Sequence, residues 1–169
     1  SIPVVANGGV EIYEDAVRCQ EETGADAVMS SEGLLENPSL FLPGSSLLID
    51  GGEKSSLYGS REEEAYALTQ RQLKFAQEYL VLAGQYWPRE GVAAVKGHLF
   101  KMLYQLLELP INHDMREQLG AKGNTLKDYV ALVQELQETR YPNLDTALAR
   151  TGGLVVAPVS WYRRHREGH

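Results

Sequence analysis

The sequence predicts two classes of structure in one chain, an α/β unit followed by an all-α bundle. Three observations carry this reading. Two short apolar runs, residues 2–6 and 25–29, flank a segment with helical periodicity. A stretch rich in Gly, Ser and Pro then runs from Asn37-Pro38 to about Ser60. Beyond Ser60 the apolar residues recur at helical spacing throughout.

Ile2-Pro3-Val4-Val5-Ala6 is apolar without alternation and ends at Asn7-Gly8-Gly9, the pattern of a short strand buried on both faces. From about Tyr13 to Thr23 a helix is expected, with Ile12, Ala16, Cys19 and Thr23 on one face and charges on the other. Gly24 ends it as a C-cap, and Ala25-Asp26-Ala27-Val28-Met29 supplies the second strand. Strand, helix, strand makes a βαβ unit, which implies a parallel sheet covered by helices. Within the boundary segment, Leu47-Leu48-Ile49 is read as a local apolar anchor.

The helical part opens at Ser60, which with Glu63 has the form of a capping box. The first helix is expected over 61–83, its stripe being Leu68, Phe75, Tyr79 and Leu82, and the second over 89–108, using Val92, Val95, Leu99, Met102 and Leu106. A short helix around Asp114–Leu119 ends at Gly120. The third long helix, about 125–139, is capped by Thr125 or Asn124 and carries Leu126, Tyr129, Val133 and Leu136. No repeat of fixed period appears.

Composition narrows the function classes. At 169 residues and 43% hydrophobic content the chain has the material for a core, and its net charge of −7 argues against indiscriminate nucleic-acid binding. Cations still cluster locally, as in the tail Trp161-Tyr162-Arg163-Arg164-His165-Arg166, although such tails are often simply solvated. The apolar runs fall far short of the roughly 20 residues that cross a bilayer, and no basic segment precedes an apolar one at the start, so neither a membrane nor a secretory signal is expected. The single Cys19 permits no internal disulfide and fits a reducing, intracellular setting, cytoplasmic or nuclear. The chain opens Ser1-Ile2-Pro3-Val4-Val5, without an initiator methionine, and reads as a piece of a longer protein.

Two loops have the chemistry an anion needs: small residues that admit backbone amides, followed by the amino end of a helix. They are Asn7-Gly8-Gly9-Val10 and Ser30-Ser31-Glu32-Gly33. In β/α barrels a cofactor phosphate commonly sits between the loops after strands seven and eight, and a consecutive βαβ with both loops fits that place. The plain alternative is ordinary turn geometry, and the Glu32 carboxylate would repel an anion, so any contact must come from backbone amides. His113 and Asp114 have no second His or Cys at ligand spacing, so no metal is expected there and a loop is the default. Glu62-Glu63-Glu64 is a charged first helical turn.

The run Val4-Val5-Ala6-Asn7-Gly8-Gly9-Val10, then Thr23-Gly24-Ala25-Asp26-Ala27-Val28-Met29-Ser30-Ser31-Glu32-Gly33 and Glu36-Asn37-Pro38-Ser39-Leu40-Phe41, closely resembles the tRNA-dihydrouridine synthases. Val95-Lys96-Gly97-His98-Leu99-Phe100-Lys101 is similar to a His-containing helix of the same family's tRNA-gripping domain. Ser31-Glu32 stands where many bacterial members have Gly-Arg, and Met-Ser-x-Glu-Gly with His-Leu-Phe-Lys resembles the eukaryotic branch acting on D-loop uridines sixteen and seventeen. The resemblance implies that residues 1–41 are the end of an FMN-binding TIM barrel, strands seven and eight, and 61–141 a helical tRNA-binding domain; composition alone makes 42–60 a linker and 142–169 a basic, aromatic tail.

It further implies FMN held at Asn7, Gly8, Gly9, Ser31, Glu32 and Gly33, NADPH as reductant, and tRNA as partner at Lys96, His98 and Lys101, while Arg163 and Arg164 are candidate RNA contacts from the charge of the tail alone. Without the Gly-Arg form, FMN would be held less tightly or by another residue. Family members draw a proton from a cysteine on an earlier barrel loop, which this chain lacks, and Cys19 reads as a core residue. With Val95, Leu99 and Met102 inward, Lys96, His98, Lys101 and Gln105 take exposed or flanking positions, the bland alternative being an ordinary polar helix face. Two rival functions remain: an inactive module that only binds RNA or protein, and another FMN barrel, against which the helical extension argues.

Overall fold

The computed structural model describes residues 2–44 and 58–153, which fall into two compact units on either side of the boundary segment. Leu47-Leu48-Ile49 and the tail with Arg163 and Arg164 lie outside the described residues.

The first unit is the expected βαβ. Strand β1 (Val5–Asn7) pairs in parallel with β2 (Ala27–Met29), with Ala6 opposite Val28, and helix α1 (Tyr13–Thr23) connects them. Gly24 ends α1 in the left-handed region at φ 65°, its amide donating 2.9 Å to the Gln20 carbonyl. Asp26 fastens the sheet: its carboxylate accepts from the Val4 amide at 2.8 Å while its own amide donates to the Val4 carbonyl at 2.9 Å. The core of this unit is small, consisting of Val10, Ala16 and Leu40 with Val28 and Leu34 packed against them.

Two expectations need correction here. The strands are not buried on both faces: Val5 is 53% and Met29 49% exposed, because a two-stranded sheet has too little surface over it to bury both sides. Cys19 is half-buried rather than a core residue. The helix expected after the second loop is present as α2 (Glu32–Glu36) and begins within that loop, at Glu32.

The second unit is a helical bundle. It comprises α3 (Arg61–Gln85), α4 (Val92–Met102), α5 (Tyr104–Leu107), α6 (His113–Gly120), α7 (Leu126–Gln134) and α8 (Leu144–Thr151). The Ser60 hydroxyl accepts from the Glu63 amide at 3.1 Å and caps α3, while the Glu63 carboxylate reaches back to the Gly59 amide at 2.7 Å. α3 buries Ala65, Leu68, Thr69, Gln72, Leu73, Ala76, Leu80 and Ala83, so the true stripe lies beside the expected one: Phe75 and Tyr79 are half-buried and Leu82 is exposed. The single helix expected over 89–108 breaks at Leu103, where ψ of 11° interrupts the α geometry between α4 and α5. Its inward residues Val95, Leu99, Met102 and Leu106 are all buried, so the periodicity held although the helix did not.

Thr125 caps α7, its amide donating 2.7 Å to the Asp128 carboxylate. A π-helical turn, Glu135–Arg140, follows α7 and turns Arg140 into the bundle. There Arg140 donates to the Ile111 carbonyl at 2.9 Å and to Asp114 at 2.8 Å, and reaches Glu135 at 3.2 Å. Asn112, fully buried, donates to the Leu106 carbonyl at 2.9 Å and to the Tyr141 hydroxyl at 2.6 Å, closing the network. Asp114 is therefore a structural ion-pair partner at the start of a helix, not part of a loop. α8 falls in what the sequence reading takes as tail; Asn143 caps it by accepting from the Thr146 amide at 2.9 Å.

Candidate functional site

The first candidate loop leaves β1 through Gly8 at φ 119° and Gly9 at φ 71°, a pair of left-handed conformations that side-chain-bearing residues rarely adopt. A Cβ on Gly8 would meet nothing within 4 Å, so this glycine is required by the backbone path and not by packing. Among the described residues the Gly8 and Gly9 amides donate to no backbone or side-chain acceptor.

The amino end of α1 offers less than its sequence suggests. Asp15, three residues in from the cap, turns its carboxylate back to accept from the Glu11 amide at 3.0 Å and the Ile12 amide at 3.2 Å. Two of the donors that would greet an anion are thus already used, and Arg18 pairs with the same carboxylate and offsets its charge.

The second loop is tied to the first. The Ser30 hydroxyl donates 3.1 Å to the Val10 carbonyl, and Gly33 is buried so tightly that a Cβ would stand 2.7 Å from both that carbonyl and the Leu40 side chain. Gly33 is explained by packing, while Ser31 and Glu32 are both exposed at the start of α2. Asn37 folds the Asn-Pro segment under this pair by accepting from the Ser39 amide at 3.1 Å, which seats Leu40 in the core. The two loops therefore sit together at the carboxyl ends of two parallel strands, with Asn7, Gly8, Ser31 and Glu32 exposed, Gly9 half-buried and Gly33 beneath them.

In the helical unit, α4 separates the three expected RNA-facing residues. Counting about 100° per residue from Val95, Lys96 lies at about 100° and Lys101 at about 240°, with His98 at about 300°. His98 and Lys101 share one flank; Lys96 stands on the opposite one, and all three are half-buried. Gln105 is buried, at hydrogen-bonding distance from Gln72 on α3.

His98 has a partner that its sequence position conceals. Its Nδ1 lies 2.7 Å from the Tyr79 hydroxyl of α3, the rings meeting edge to face with centroids 5.5 Å apart. Burial pushes the Tyr79 hydroxyl pKa above its ordinary value. Tyr79 had been legible only as an apolar stripe residue.

Among the described residues no cluster of three or more His, Cys, Asp or Glu gathers at metal-binding distance, and no helix is long and apolar enough to cross a membrane.

Paired loops at the ends of two parallel strands, followed by a helical unit, define the class as an α/β end joined to a helical extension. The sequence profile of the dihydrouridine synthase family matches residues 1–142, across both units, and the chain belongs to that family. It is 36% identical to the tRNA-dihydrouridine(16/17) synthase [NAD(P)(+)] of Schizosaccharomyces pombe, over 73% of this chain and 27% of that protein. It is 32% identical to the corresponding synthase-like protein of Mus musculus, over 80% of this chain and 22% of the relative. It is 33% identical to the probable tRNA-dihydrouridine synthase 1 of Synechocystis sp., over 70% and 30%. The chain thus spans about a quarter of the length of these curated relatives. No solved structure matches it.

Proposed function

We propose that this chain is the part of a flavin-dependent tRNA-dihydrouridine synthase that holds the flavin phosphate and grips the tRNA, in an enzyme that reduces D-loop uridine to dihydrouridine with NADPH. The observation that carries the reading is that one family profile runs continuously through the loop unit and the helical unit, so both belong to one design. The fission yeast and mouse relatives are named for positions 16 and 17 of tRNA and for NAD(P)(+), which supports this reading. Such an enzyme works where tRNA is found, in the cytoplasm or nucleus.

The residues fit an FMN phosphate through backbone donors. Gly8 and Gly9 present uncommitted amides, Asn7 adds an exposed side chain, and Ser31 and Glu32 bring amides from the neighbouring loop. Gly33 serves by allowing α2 to press against Val10, which holds the two loops in register. With no arginine at the second loop, affinity rests on these dipoles. When bound, FMN supplies the hydride taken by the uracil ring, while this chain's loops fix where its phosphate end lies. The proton donor implied by the family is a cysteine elsewhere in the barrel, and Cys19 on α1 takes no part. Open strand edges at β1 and β2, with Val4, Val5 and Met29 exposed, suit a sheet continued by further barrel strands.

RNA recognition falls to α4, where placed cations on an acidic protein suit contact with the sugar-phosphate backbone. His98 and Lys101 serve one stretch of backbone and Lys96 another, with Arg163 and Arg164 as further phosphate contacts from the tail.

The test is a fusion of residues 1–169 to the preceding barrel segment of the fission yeast relative. A yellow protein that restores dihydrouridine to tRNA from a synthase-deficient strain is the expected result. A yellow protein that leaves tRNA unmodified would retain the flavin site and defeat the substrate assignment.

A further inference from the structure

Three observations on α4 reach beyond a general cationic face. The first is the Tyr79–His98 pair, with hydroxyl and Nδ1 at 2.7 Å. A phenol donates a hydrogen bond more readily than it accepts one, and burial keeps this hydroxyl protonated. Tyr79 then donates to Nδ1, which leaves the neutral imidazole with its proton on Nε2. The two ring nitrogens diverge, so Nε2 points away from α3, and among the described residues His98 has no other hydrogen bond.

The second observation is the arc the helix presents. At about 100° per residue, Gly97, Lys101 and His98 fall at about 200°, 240° and 300° from Val95, a continuous strip from the outer face to the flank beside α3. The third is Gly97 itself. It sits in the interior of α4, exposed, with nothing within 4 Å of the place its Cβ would occupy. An interior glycine weakens a helix by about 1 kcal/mol relative to alanine, and no packing among the described residues explains it. Such a glycine leaves room for another backbone to approach closely.

We propose that Tyr79 is a positioning residue that locks the His98 imidazole with Nε2–H outward, so that it donates to a phosphate oxygen of an RNA strand crossing Gly97 beside the Lys101 ammonium. Nε2 carries a hydrogen in both the neutral and the protonated ring, so this position serves an oxygen acceptor in either state. Lys96, on the opposite flank, lies outside the contact. The inference rests on the reading of α4 as RNA-facing.

The tautomer is read from long-range proton–nitrogen correlations of His98 in the nitrogen-15-labelled 169-residue chain, which needs no variant. Nε2 protonation is expected; a proton on Nδ1 in the neutral ring would overturn the assignment. Binding to an unmodified tRNA transcript at fixed low salt is followed by fluorescence anisotropy. Tyr79→Phe and His98→Ala should each weaken it about fivefold, the worth of one hydrogen bond, and the double variant no more than either. Gly97→Leu should weaken it at least as much while the thermal midpoint holds. Lys101→Glu separates the two readings. If it weakens binding and Tyr79→Phe does not, the positioning role is wrong and the RNA face stands. If Lys101→Glu and Lys96→Glu both leave binding unchanged, the RNA face itself is wrong.

Discussion

The two units of this chain differ in how far each satisfies its own chemistry. Among the described residues the helical unit gathers twenty buried apolar residues in one cluster, from Ala65 to Ala147, and threads a hydrogen-bonded network through it. The cluster of the loop unit has three, Val10, Ala16 and Leu40, and the unit leaves Val4, Val5 and Met29 in the open. Three side chains do not offset the entropy of ordering some forty residues, whereas a closed helical core does so by itself. A helix satisfies its backbone internally, but a strand needs neighbours on both edges. The unit that carries the two candidate loops is thus the one that further sheet would complete.

The largest effect should come from separating the units. Residues 58–153 alone are expected to melt in one cooperative transition by circular dichroism and residues 1–44 alone to show none; a cooperative melt of the small unit would break the contrast. Next in size are core truncations. Leu99→Ala or Met115→Ala, at fully buried sites, should destabilise the helical unit by about 2–5 kcal/mol in urea titrations. Leu40→Ala, equally buried, should leave that transition in place because its core is the other one.

The polar network gives a smaller, pH-dependent term. Asn112→Ala should cost about 1–3 kcal/mol, because it leaves the Leu106 carbonyl and the Arg140 guanidinium short of partners inside the bundle. Hydrogen bonds from Arg140 hold the Asp114 carboxyl below its ordinary value. The stabilisation is therefore complete above the ordinary carboxylate pKa and disappears as pH falls through the lowered one. Asp114→Asn should remove that part of the acid limb of the stability profile, modestly, since the side chain is half-exposed. The smallest effect is a gain: Gly97→Ala should stabilise α4 by about 0.5–1 kcal/mol, read as a raised thermal midpoint.

Local chemistry accounts for what could be read without coordinates. The βαβ unit, the Ser60 and Thr125 caps, the Gly24 stop and the inward face of α4 follow from spacing and side-chain type, and all appear in the structure. Element ends were less legible. The π-helical turn before Tyr141 carries Arg140 to the buried Asn112, a pairing across 28 residues that no local window contains. α8 has local signals of its own, Asn143 as its N-cap and Gly152 as its stop.

By itself the sequence determined the order of strand, loop and helix, the family, and the residue types at each candidate site, because those depend on neighbours within a few positions. Tertiary structure alone decided which of those residues stand together. It pressed Gly33 against Val10 and Leu40, joined Asn112 to Arg140, and brought Tyr79 to His98 across 19 residues. Contact between side chains on different elements depends on how those elements pack, and periodicity says which face is inward without saying what it meets there.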